Sequence, residues 1–156
     1  PHLSVGCILI ATENLFDARP FDGAKILIVR ADESTGVQGL IINKPMSWDS
    51  LHKHEQYFEL LKEAPLQFGG PVVIRGLPLV ALTRIPIEGK SSEVMKNVHF
   101  IDPVGALSLV GEIRAGNNSV HDFRFFLGYC GWGWEQLFGE IHRGDWNVTE
   151  GSFEWA

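Results

Sequence analysis

Short apolar runs separated by polar and glycine-rich breaks dominate the first third of the chain. Residues 5–12 and 24–31 are β-branched and apolar, bounded by Gly, Asp and Pro, and read as buried strands. Asp32-Glu33-Ser34-Thr35-Gly36 has turn chemistry and returns the chain into residues 37–44, making a hairpin that Pro45 ends. Leu51, Phe58 and Leu61 recur at near-helical spacing, so residues 48–64 are expected to form a helix capped by Asp49 or Ser50 and stopped by Pro65. A short strand leads into the Gly69-Gly70-Pro71 turn, and residues 72–74 and 79–85 supply two further strand candidates. The polar stretch 88–96 is expected to be a mobile surface loop, followed by a short strand at 98–101.

The later pattern is more helical. Asp102 is a natural N-cap, Pro103 suits the first helical position, and Val104, Leu107, Val110 and Ile113 offer one apolar face before Gly116 closes the helix. Residues 123–129 form an aromatic strand, and Trp134, Leu137, Phe138 and Ile141 at i, i+3, i+4 and i+7 make a last amphipathic helix. Residues 145–149 and 153–155 are expected to close the fold as a hairpin. Strands outnumber helices and do not alternate with them regularly, so the class is α+β. No repeat or linker divides the 156 residues, which are expected to make one domain.

Residues 127–146 hold five glycines and three of the five tryptophans. Such a stretch persists where backbone and large rings must meet in a defined geometry. The segment Gly128-Tyr129-Cys130-Gly131-Trp132-Gly133-Trp134-Glu135-Gln136-Leu137 resembles the signature of the YqgE/AlgH family. Gly6-Cys7-Ile8-Leu9-Ile10-Ala11, Gly39-Leu40-Ile41-Ile42-Asn43-Lys44-Pro45 and Phe68-Gly69-Gly70-Pro71-Val72 resemble three further family blocks, in the family's order. The chain departs from that pattern at Cys130, where Ala is usual, at Trp134-Glu135, and at Lys44 in place of Arg. The resemblance implies a mixed, strongly bent sheet curled into a pseudo-barrel with helices packed outside. It implies no activity, although some members have been labelled transcriptional regulators. The tryptophan-rich wording resembles plant relatives with plastid-targeting leaders. The absence of an initial Met at Pro1 leads to the expectation of an excised domain or a processed protein, with any targeting leader lost along with that segment and a plastid location if the chain is a plant protein; bacterial relatives are expected in the cytoplasm.

A net charge of −6 with no run of three basic residues argues against a nucleic-acid surface. The apolar runs are too short to cross a bilayer, so no membrane association is expected. No metal is expected either, because the six histidines lack ligand spacing; His52 and His54, two apart, fall on opposite sides of a helix. Cys7 and Cys130 read as small buried hydrophobes, with a disulfide between them left open.

Gly128-Tyr129-Cys130-Gly131-Trp132 invites comparison with a nucleophile elbow, but Trp132 takes a position that requires glycine, and alanine in place of Cys130 in related sequences rules out a shared nucleophile. Glu135 and Glu140 are expected on the solvated face of the last helix, with Glu140 paired to Arg143. No catalytic residue and no cofactor is assigned. The leading reading is a non-enzymatic interaction or regulatory module that contacts protein or itself. The alternative is a small-molecule or anion-binding protein, or a hydrolase-like enzyme, with unpaired amides at the 128–134 turn as its site. The candidate ligand or interaction residues are Asn43, Gly69, Gly70, Gly128, Tyr129, Gly131, Trp132 and Gly133; for Asn43 a local structural bond competes with that role.

Overall fold

The computed structural model describes residues 2–51 and 56–155. Ten strands occur among them: β1 (Ile8–Ala11), β2 (Lys25–Asp32), β3 (Gly36–Ile41), β4 (Leu66–Phe68), β5 (Leu79–Thr83), β6 (Ser91–Met95), β7 (Val98–Ile101), β8 (Phe123–Leu127), β9 (Cys130–Trp132) and β10 (Trp146–Thr149). The helices are α1 (Phe58–Leu61), α2 (Pro103–Arg114) and α3 (Trp134–His142). The strands form two five-stranded sheets, ordered β10-β1-β2-β3-β9 and β4-β8-β5-β7-β6. All described pairings are antiparallel except β4 with β8, so the α+β class holds. The sheets face each other and do not close into a barrel.

Alternation along the strands sets the layers, because successive side chains leave opposite faces. Leu27, Val29 and Leu40 from the first sheet meet Val80, Leu82, Phe100 and Phe126 from the second, making the central core. Ile26, Ile28 and Ile41 point the other way, against Leu137 of α3 and the rings of Trp132 and Trp146. Ala81, Ile101, Phe123 and Phe125 cover the outer face of the second sheet and pack on Ala106, Leu109 and Val110 of α2. The order is therefore helix, sheet, sheet, helix.

Several expected elements differ. Among the described residues, 48–64 is not one helix: Trp48–Leu51 is a 3-10 turn and α1 is a single helical turn. The Trp48 indole there donates to the Ala64 carbonyl at 2.8 Å, tying the segment's two ends together instead of lying along one helix face. His52 and His54 lie outside the described residues. The expected loop at 88–96 contains β6, a polar edge strand in which only Val94 is buried, so apolar content could not reveal it. Residues 72–74 make only isolated bridges. The expected strand 123–129 ends at Leu127, and the closing hairpin does not form: β10 pairs with β1, while Phe153 and Trp155 pack against the central core without strand pairing.

The face of α2 is also rotated from the expected one. Asp102 caps it as predicted, accepting from the Gly105 amide at 2.8 Å, and Gly116 follows its end at φ +83°. Yet Val104 and Leu107 are 67% and 43% exposed, because Gly105 and Ala106 face the sheet. A Cβ on Gly105 would sit 2.9 Å from Cγ2 of Ile101, so the helix lies too close to the sheet for a larger residue there.

Candidate functional site

The chain steps from the second sheet to the first at 127–130, and residues 68–72, leaving the end of β4, run alongside that crossing. Gly69 donates to the Leu127 carbonyl at 2.8 Å while its own carbonyl accepts from Ile41 at 2.9 Å. Val72 and Tyr129 exchange two backbone bonds of 2.9 and 3.1 Å. A Cβ on Gly69 would overlap the Gly128 carbonyl oxygen, and one on Gly128, at φ +71°, would overlap that of Gly70. Gly69, Gly70 and Gly128 are thus what allows backbone to pack on backbone here, whereas Gly131 and Gly133 face no close backbone. The Gly70 amide bonds to the Leu127 carbonyl at 3.3 Å, that of Gly128 to Pro78 at 3.0 Å and that of Gly133 to the Gln136 side chain at 3.2 Å. The unpaired amides expected of a strand-to-helix turn are not found at these glycines.

Cys130 does not stand on an elbow. It lies in β9, opposite Gly39 of β3, and its thiol faces the Gly69 carbonyl at 3.5 Å. Burial pushes the thiol pKa up to about 12, the reverse of what activates a cysteine. Both cysteines are free, which settles the disulfide question for this structure.

Trp132 is buried, and its indole N–H donates to Oε1 of Glu140 at 3.2 Å. The same oxygen accepts from the Trp146 indole at 3.0 Å, and Oε2 accepts from Gln136 at 3.3 Å. The two indoles meet edge-on, 6.2 Å apart. Glu140 was expected in solvent beside Arg143; instead it anchors two tryptophans, because α3 lies on the ring-bearing face of the first sheet. Gln136 and Glu140 one helical turn apart, next to three tryptophans, were the available signal. Arg143 turns to Asp145, donating from Nε at 2.9 Å and Nη2 at 2.5 Å. Asp145 is 5% exposed, and the Arg143 bonds, aided by its charge and by Asn14, hold the carboxyl below the usual range.

Tyr129 is half-buried against the central core, and Gly131 and Gly133 are exposed. Asn43 stands elsewhere on the first sheet, where its amide brackets a bend: it accepts from the Lys25 amide at 3.0 Å and donates to the Gly23 carbonyl at 2.9 Å. The structure therefore gathers Gly69, Gly70, Gly128 and Tyr129 at one crossing, continues through Gly131 and Trp132 to Gly133, and leaves Asn43 in its own bracket. Above the crossing, residues 72–74 run as a loop, not a strand. Its Val72, Val73 and Ile74 are 37%, 46% and 38% exposed, and Val72 reaches toward Gly131. Among the described residues no three His, Cys, Asp or Glu side chains gather as metal ligands, and no helix is long and apolar enough to cross a membrane.

The family model that matches this architecture is described as AlgH-like and spans residues 8–155. The chain belongs to the AlgH-like family. A UPF0301 protein of Chlorobaculum tepidum is 30% identical over 97% of this chain and 78% of its own length. One from Jannaschia sp. is 32% identical over 98% and 80%. The solution structure of AlgH from Pseudomonas aeruginosa aligns with a TM-score of 0.70 at 20% identity, covering 97% of this chain and 82% of that one, which supports the fold alone. None of these descriptions names an activity. All three organisms are bacterial, so they give the plant and plastid expectation no support.

Proposed function

We propose that this AlgH-like chain, acting as one domain over residues 1–156, is a non-enzymatic protein-interaction or regulatory module. Its contact surface is centred on the Val72–Ile74 loop and the adjoining Tyr129 and Gly131. The observation that carries the reading is the exposure of three consecutive aliphatic side chains on a loop whose base is pinned by two backbone bonds between Val72 and Tyr129. An apolar patch on a fixed base is suited to docking, since little order is lost on contact. The alternative, a ligand site in the 128–134 turn, draws less support because the Gly128 and Gly133 amides there already have acceptors.

The test compares the native protein with Val73→Asp in sedimentation velocity and in crosslinking pull-down from native extract. The reading expects a self-associated species or a specific crosslinked partner with the native protein, and its loss in Val73→Asp with thermal stability unchanged. Identical behaviour of the two proteins overturns it.

A further inference from the structure

A cleft of about 480 Å³ opens between the N-terminus of α2, the start of β6 and Arg30 of β2. It shares no residue with the surface proposed above. Its size lies within the range of about 300–1,000 Å³ usual for small-molecule sites and exceeds what a bare phosphate fills. Two cations line it against one acid, in a chain whose net charge is −6. Lys90 makes no ion pair among the described residues. Arg30 is held in place by Asp102 at 3.2 Å and by the face of Phe100, its guanidinium carbon 5.2 Å from the ring centroid. Ser92 and Ser108 also line the cleft, beside the start of α2, whose dipole the Asp102 carboxylate already offsets.

Cations and serine hydroxyls together match a phosphoryl group. The remaining wall matches a carbon body with hydroxyls. Asp102 uses Oδ1 to cap Gly105 and Oδ2 to hold Arg30, and a carboxylate with about four lone-pair positions keeps room to accept a ligand hydroxyl. Val104, left largely exposed by the rotated face of α2, supplies apolar surface for the carbon skeleton. Two cations are too few for a nucleic-acid backbone. We propose that this cleft binds a small phosphorylated polyol, with Lys90, Arg30, Ser92 and Ser108 on the phosphate and Asp102 on a hydroxyl.

The experiment titrates ¹⁵N-labelled protein with ribose 5-phosphate, inorganic phosphate and ribose at fixed ionic strength, following backbone amide shifts. Ribose 5-phosphate should shift the amides of Gly89, Lys90, Ser91, Ser92 and Gly105 saturably. Inorganic phosphate should bind at the same amides about tenfold more weakly, having lost the Asp102 contact, and ribose should produce no saturable shift. Lys90→Gln with Ser108→Ala should weaken ribose 5-phosphate binding at least about tenfold while the spectrum elsewhere stays unchanged, since Ser108 is exposed and Lys90 only half-buried. Unsaturable shifts with both phosphates, equal affinity for inorganic phosphate and ribose 5-phosphate, saturable binding of ribose, or unchanged affinity in the double variant would each overturn the proposal.

Discussion

Cys130 and Asp145 are the two buried side chains whose chemistry is set most directly by their neighbours. With its thiol pushed up to about 12, Cys130 carries almost no thiolate at pH 7. Native protein should therefore label at no more than one thiol, half-buried Cys7, in a dithionitrobenzoate assay, while unfolded protein labels at both. Cys130→Ala should fold and lose about 1 kcal/mol in urea denaturation, the loss from one small buried group. Asp145 works through charge. Its folded pKa lies below the unfolded value because of Arg143, so its contribution to stability is full above the unfolded carboxylate pKa, about 3.9, and is lost as pH falls through the lower folded value. Asp145→Asn should thus be less stable than the native protein at pH 7, and the gap should narrow below about pH 4. Urea midpoints at several pH values check this; a gap that widens in acid would contradict the pairing.

At the scale of elements, α3 is fixed to the first sheet by an apolar stripe and by one carboxylate. Leu137 is fully buried against Ile26, Ile28 and Ile41, so Leu137→Ala should cost about 2–5 kcal/mol. Glu140→Ala removes the shared acceptor of the Trp132 and Trp146 indoles and should cost about 2 kcal/mol or more, with a shift in tryptophan fluorescence. Glu140→Gln keeps an oxygen acceptor and should cost less; equal losses in denaturation would place the energy in packing rather than in these bonds. The helix itself was readable from Trp134, Leu137, Phe138 and Ile141, and α2 from Asp102 and Pro103. The face α2 buries was not readable, because small residues at Gly105 and Ala106 draw the helix close to the sheet and turn Val104 outward. Propensity and spacing define a helix; the surface it meets decides its rotation.

For the whole molecule, the net charge of −6 predicts weak, non-selective DNA binding, since few phosphates can be neutralised and their counterions released. Fluorescence anisotropy at physiological salt should give no saturation at micromolar protein; sub-micromolar, sequence-selective binding would make direct transcriptional control the leading function. The sequence by itself determined the α+β class, the β2–β3 hairpin, both longer helices and, through its four blocks, the family. Those features rest on local patterns: period-two or helical spacing, caps, turns and glycine positions that neighbouring residues impose on each other. Only the tertiary structure decided that Gly69, Gly70 and Gly128 lie on one backbone crossing and that Glu140 serves two indoles. It also assigned β6 to a sheet edge and brought Lys90, Arg30 and Asp102 around one cleft. Each of these joins residues far apart in the chain, through contacts that depend on how two sheets face one another. No local spacing encodes that distance.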